Sequence, residues 1–325
     1  MAQTNYTTTA LSGHSKKRGL ERFPLQIIPF FKYHGLGNDF VVTAAESIAP
    51  AFNRLATRPD GRRSAKAPGL NELARAICHR HQGVGADGFL VVSRSSKQGI
   101  DAAARFFNAD GSEAEMSGNG IRCIGAYLLQ TRKRVQTLRV ETPSGLRRLE
   151  VIEAASDRWI FRVEMGEPVL EPGKIPFAGK GAQAPVVGYP LKTTQGRFRV
   201  TVTSMGNPHC TLFVKSLDRI PWQAIGREIE TQRLFPNRTN VEFVQVHTRN
   251  EIEVRFWERG VGQTASSGTG SCGAVVASIL NDFTQRKVRV RTLAGQLEVS
   301  YARDGQVLLT GPAVLIASGT FHFQP

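Results

Sequence analysis

Two serines 150 positions apart carry the clearest capacity for chemistry in this chain. Ser117-Gly118-Asn119-Gly120 and Ser267-Gly268-Thr269-Gly270 each run into a small-residue, apolar stretch that reads as a helix. Each serine stands twelve residues after the arginine of an Arg-Phe-aromatic strand, Arg105-Phe106-Phe107 in one case and Arg255-Phe256-Trp257 in the other. Glycines just before a helix leave backbone N–H groups free, and the helix dipole adds positive potential there. Such a terminus binds a carboxylate or stabilises an oxyanion or enolate. Two facing termini, each with a side chain able to move a proton, suit stereo-inversion at a carbon next to a carboxylate. One group removes a proton while the other supplies one. A single copy reads more simply as a serine N-cap. Two copies at one offset favour a shared cleft, although duplication alone leaves the same mark.

A second pair keeps the same order, with Gly37-Asn38 in the first half and Gly206-Asn207 in the second. A repeat of this length points to a duplicated, fused domain and not to a solenoid. The elements that must position the site follow from patterning. Pro29–Tyr33 and Phe40–Thr43 read as strands around the turn at residues 34–39. Asn71 reads as the N-cap of a helix whose apolar face is Leu73, Ala74, Ile77 and Cys78. Helices are expected from Asn119 to Thr131 and from Gly270 to Asn281, each among many short strands. The expectation is an α+β protein of two pseudo-symmetric domains, each a curved, mainly antiparallel sheet or barrel around a central helix. The boundaries read as a disordered basic tail over 1–28, a first domain over 29–150 with a loop insertion at 47–70, and a second domain over 151–320. The C-terminal strand is free to cross back.

The 325 residues suffice for two cores, and no apolar run approaches membrane-spanning length. Residues 1–24 have no apolar stretch of the secretory type. Four cysteines (Cys78, Cys123, Cys210, Cys272) show neither CxxC nor zinc-ligand spacing, so reduced, buried thiols in a cytoplasmic protein are expected and no metal. The net charge of +15 invites a nucleic-acid reading. Seven of those charges lie in segments 1–22 and 47–70, and no aromatic-interleaved basic motif accompanies them. Nucleic acid is therefore not the expected partner.

Longer blocks carry a resemblance. Phe31-Lys32-Tyr33-His34-Gly35-Leu36-Gly37-Asn38-Asp39-Phe40, Gly83-Val84-Gly85-Ala86-Asp87-Gly88, and Phe107-Asn108-Ala109-Asp110-Gly111-Ser112-Glu113 resemble diaminopimelate epimerase. So do Gly206-Asn207-Pro208-His209, Asn240-Val241-Glu242-Phe243 and Trp257-Glu258-Arg259-Gly260, in order over residues 30 to 320. The resemblance implies the two-domain fold shared with proline racemase and a cofactor-free racemisation on the way to lysine and peptidoglycan. It implies that Asn38, Asn108, Asn207 and Asn240 hold the distal amino-acid end of a small substrate, beside the charged pair Glu258 and Arg259. Gly118-Asn119 and Gly268-Thr269 match the backbone donors to the reacting carboxylate. His209 and Glu258 match residues that support the proton carriers. A homodimer is the one macromolecular partnership left open.

The departure is central. In that family both proton carriers are cysteines, and here they are Ser117 and Ser267. A thiol has a pKa near 8.5, and a helix N-terminus brings it lower. A hydroxyl is a far weaker acid and needs a neighbouring base, for which His209 and Glu258 are the candidates. Cys123 and Cys272 fall inside the helices and read as core thiols. Gly88 stands where some epimerases carry a substrate-contacting Gln. Three readings stay open: an engineered Cys→Ser pair, a relative that dehydrates or isomerises a related acid, and an inactive amino-acid-binding homologue.

Overall fold

The computed structural model describes residues 25–48, 69–131 and 135–324. The basic tail up to residue 24 and most of the 47–70 insertion lie outside the described residues. In chain order there follow β1 (Gln26–Gly35), β2 (Asn38–Ala44), α1 (Leu70–Cys78), β3 (Gly88–Ser93), β4 (Ala102–Asn108) and β5 (Glu113–Ala114). Next are α2 (Gly118–Thr131), β6 (Thr137–Thr142), β7 (Gly145–Ala154), β8 (Arg158–Gly166), β9 (Val186–Thr193), β10 (Gly196–Ser204) and β11 (Pro208–Phe213). After a 3₁₀ turn (Leu217–Arg219) come α3 (Trp222–Glu230), β12 (Asn240–Thr248), β13 (Glu251–Glu258) and β14 (Gly262–Thr264). The chain ends with α4 (Gly268–Leu280), β15 (Lys287–Thr292), β16 (Gly295–Tyr301) and β17 (Val307–Phe323).

Strand pairing closes a ring of β1, β2, β3, β4, β6, β7, β8 and β17. A second circuit runs β10, β11, β12, β13, β15, β16, β17 and β8, completed by a bridge between Val169 and Ser204. Pairing is antiparallel except at equivalent places. β2 with β3 and β4 with β6 are parallel in one ring; β11 with β12 and β13 with β15 are parallel in the other. This is the two-domain α+β architecture expected from the repeat. β17 belongs to both rings: Val307–Thr310 pair with β16, and the strand continues to Phe323 against β1. That partner also explains why β1 begins at Gln26, ahead of Pro29, since Gln26 is in register with Phe323.

Each ring encloses one helix. α2 is buried from Gly118 to Leu128 and packs on β1, β2, β8 and β17. α4 is buried on nearly every side and packs on β10, β11, β12 and β16. A helix buried all round needs no polar stripe, which matches their small and apolar composition. Outside the rings, α1 buries Leu73, Ala74, Ile77 and Cys78 against β3 and β4. Its N-cap is Gly69 and not Asn71; the Asn71 amide instead donates to Gly111 O at 2.8 Å. α3 packs at the equivalent place outside β12 and β13.

Candidate active site

The N-termini of α2 and α4 meet at the junction of the two rings. A Cβ placed on Gly118 would stand 3.0 Å from Gly268 Cα, and one on Gly268 would stand 2.9 Å from Gly118 Cα. Only glycine lets two backbones approach this closely. The repeat survives in the packing around them. Gly120 lies against Ser117 Cβ and the Phe106 ring, and Gly270 lies against Ser267 Cβ and the Phe256 ring. Ser117 and Ser267, one residue before Gly118 and Gly268 respectively, therefore stand at the same junction. Each also caps its helix: Ser117 Oγ accepts from Gly120 N–H at 3.1 Å and Ser267 Oγ from Gly270 N–H at 3.2 Å. The capping reading and the cleft reading are both satisfied.

A cavity of about 890 Å³ opens at this junction. Of the residues singled out in the sequence, Asn38, Asn108, Ser117, Gly118, Asn119, Asn207, Glu258, Arg259, Ser267, Gly268 and Thr269 line it. Asn38 and Asn207 follow glycines with φ of +80° and +95°, Gly37 and Gly206, so both turns use the left-handed backbone that glycine allows. Asn119 Nδ2 donates to Asn38 Oδ1 at 3.1 Å, and Asn207 Nδ2 donates to Thr269 Oγ1 at 3.4 Å. Each helix start is thus tied to the asparagine of its own half.

His209 and Asn240 do not line the cavity. His209 is buried, with Nε2 2.9 Å from Asn207 Oδ1 and Nδ1 2.7 Å from Glu242 Oε1. Asn207 Oδ1 can only accept, so His209 Nε2 donates and turns the Asn207 amide toward Thr269. Asn240 uses its amide on the backbone: Nδ2 donates to Pro208 O and Oδ1 accepts from Arg259 N–H, both at 2.9 Å. It shapes the Arg259 loop from behind. Glu230 assists, accepting from Trp257 Nε1–H at 2.7 Å and Gly260 N–H at 2.8 Å.

The two serines differ in what stands beside them. Ser267 Oγ donates to Glu258 Oε2 at 3.2 Å, and Thr264 Oγ donates to Glu258 Oε1 at 2.6 Å. Burial raises the Glu258 carboxyl above its ordinary range, partly offset by these two hydrogen bonds. Among the described residues no carboxylate is hydrogen-bonded to Ser117. Burial pushes the Cys123 and Cys272 thiols up to about 12, which removes both from proton transfer near neutral pH. Among the described residues no group of three His, Cys, Asp or Glu side chains gathers as metal ligands.

Three neighbours of the site have roles that patterning alone does not assign. Asp87 accepts from Asn38 Nδ2 at 2.9 Å and from Asp39 N–H at 3.2 Å, and it pairs with Arg80. Glu242 supports His209. Both fall within the Gly83–Gly88 and Asn240–Phe243 blocks, which was the available signal. Arg122, wholly buried beneath Gly118 and Asn119, had none. At Gly88 a Cβ would stand 2.9 Å from the Phe40 ring and from Phe107 O, so Phe40 fills that corner.

Paired rings, each delivering a buried helix N-terminus to one cleft, define a two-domain α+β class. The fold matches a hydroxyproline epimerase from Agrobacterium vitis with bound trans-4-hydroxy-L-proline, at TM-score 0.65 and 14% identity over 94% of each chain. It matches a methylitaconate-delta-isomerase at TM-score 0.61 and 15% identity, over 92% of this chain and 96% of that one. The family model described as Diaminopimelate epimerase covers residues 30–171 and 201–316. The Pelotomaculum thermopropionicum protein named diaminopimelate epimerase is 43% identical over 296 residues, 91% of this chain and 99% of its own. The Desulfitobacterium hafniense protein of the same name is 42% identical over 289 residues, 89% and 96% of the two chains. The chain belongs to the diaminopimelate epimerase family.

Proposed function

We propose that this protein is a cofactor-independent amino-acid epimerase acting at the Cα of diaminopimelate, interconverting the LL and meso forms. The observation that supports this reading is the Gly118–Gly268 contact, beside which both serines line one cavity. In the reaction the substrate carboxylate sits on the free N–H groups of α2 and α4, where negative charge developing on the enediolate is stabilised. On one face Ser267 takes the Cα proton as its own passes to Glu258; on the other Ser117 gives its hydroxyl proton to the carbanion and regains one from solvent, to which Glu258 releases its own. Asn38, Asn108, Asn207 and Arg259 hold the distal amino-acid end, with Asn240 and His209 acting through Arg259 and Asn207. The two domains, divided near residue 150 with β17 crossing back, supply one serine each.

Four free, buried cysteines support a reducing, cytoplasmic setting. Among the described residues no helix is long and apolar enough to cross a membrane. A homodimer is proposed with the small-molecule substrate as partner, without nucleic acid.

A second reading is favoured by the serines themselves. With a carboxylate beside Ser267 only, proton transfer on one face suits isomerisation or dehydration of a related amino or hydroxy acid. Incubation with LL-diaminopimelate in deuterated water separates the two. Deuterium at Cα together with meso product supports epimerisation. Deuterium without inversion supports one-sided chemistry. Calorimetric binding with neither leaves an amino-acid-binding homologue, and no binding at all refutes the substrate.

A further inference from the structure

Arg122 heads the fully buried large side chains. It stands five residues past Ser117, where the second half has Cys272 five past Ser267, so a charge breaks the pseudo-symmetry. The acceptors it meets are neutral: Nε donates to Pro312 O at 3.0 Å, Nη1 to Gly118 O at 2.8 Å, and Nη2 to Asn119 Oδ1 at 2.8 Å. Two glycines form its slot, since a Cβ on Gly35 would stand 2.9 Å from Nη2 and one on Gly311 3.3 Å from Cζ. A buried cation without a carboxylate partner is expensive to keep. Burial lowers its pKa only to about 10, so it carries its charge at neutral pH.

We infer that Arg122 is a positioning residue for the carboxylate cradle: it sets the polarity of the Asn119–Asn38 amide relay and places a fixed positive charge behind the paired helix N-termini. The first part follows from donor counting. A guanidinium only donates, so Asn119 Oδ1 is committed to it and Nδ2 must face Asn38 Oδ1. Asn38 Nδ2 is then left to Asp87 Oδ2 at 2.9 Å. His209 performs the matching task for Asn207 in the other half. The second part follows from location. Gly118 and Asn119 separate the guanidinium from the cavity, so it acts on a bound carboxylate without touching it. In a dry interior one whole charge exceeds the roughly half charge of a helix dipole.

This inference rests on the proposed carboxylate site, yet its test needs no substrate. Ser117→Cys introduces a reporter thiol at the cradle, while the four native cysteines are buried. The rate of its alkylation by iodoacetamide is followed against pH, alone and combined with Arg122→Met or Arg122→Lys. Removing the charge is expected to raise the reporter's apparent pKa by about one unit, slowing alkylation near pH 7 about tenfold. Arg122→Lys is expected to stay within about threefold of the parent. An unchanged profile in Arg122→Met overturns the inference, as does a lysine variant as slow as the methionine one. If the methionine variant does not fold, Arg122→Gln takes its place: about tenfold slowing is expected there, and an unchanged profile overturns the inference. Failure of wild-type protein to bind LL-diaminopimelate in calorimetry counts against the substrate and leaves the alkylation result standing.

Discussion

Replacing Gly118 by alanine tests the geometry on which the site depends. The new Cβ would lie 3.0 Å from Gly268 Cα and 3.4 Å from Gly268 C, where ordinary contact begins near 3.4 Å. Both neighbours are backbone at the start of a buried helix, so no side chain can swing away. The two N-termini must part by roughly half an ångström in a close-packed interior. Overpacking of this kind costs about 1–3 kcal/mol. For a chain of this length that is a fall in Tm of about 2–6 °C. Since a 1 Å misplacement can cost about 10²-fold in a positioned site, half of it is expected to weaken LL-diaminopimelate binding about tenfold. Gly173→Ala is the control, because nothing lies within 4 Å of a Cβ there. Thermal unfolding by circular dichroism and isothermal calorimetry provide the two readouts. If Gly118→Ala matches Gly173→Ala in both, the helix starts do not meet as described.

Three further predictions bear on the chemistry and on the core. Ser117→Cys combined with Ser267→Cys is expected to raise Cα–H exchange of LL-diaminopimelate by at least about tenfold, because a thiol's pKa lies far nearer the working pH; proton NMR in deuterated water shows any failure to gain. Glu258 has its folded pKa raised above the ordinary 4.5, so the folded state binds the extra proton and stability is lost as pH rises through that window. Glu258→Gln removes this loss, and its Tm relative to wild type should climb from pH 4.5 upward; a pH-independent difference excludes the carboxyl as its source. Gly88→Gln drives a Cβ to 2.9 Å from Phe107 O and the Phe40 ring, so it should destabilise by about 1–3 kcal/mol in chemical denaturation, and a neutral result would mean Phe40 moves freely.

The duplicated serines and their offset from the Arg-Phe strands were enough to read two helix starts turned toward one cleft. Helix starts announce themselves locally through small residues and a capping serine. Long-range relations did not. The C-terminal strand expected to be free to cross back is the seventeen-residue β17, whose far half is ordered by pairing with β1. α3 went unread because Gly226 sits in its middle; there a Cβ would lie 2.7 Å from Trp257 Cβ, a tertiary demand with no local mark. His209 and Asn240 sit in recognisable blocks, yet their distances place them behind the cavity wall. Motifs report which residues belong together, and burial decides which of them a ligand can touch. Arg122 was invisible for the opposite reason, since an arginine inside a helix usually points to water.

The double membership of β17 also bears on how the chain comes to be folded. The first ring contains strands early in the chain, yet its seam between β1 and β8 is filled by Val307–Phe323, about 270 residues further on than β1. The N-terminal half must therefore wait, open-edged, for nearly the whole remaining length before it can close. Contacts of such sequence separation slow folding and leave unpaired strand edges exposed meanwhile. The same stitching ties the fate of both described rings to β17: a nascent chain stopped short of it would leave both rings open, so neither serine could be presented before that strand is made.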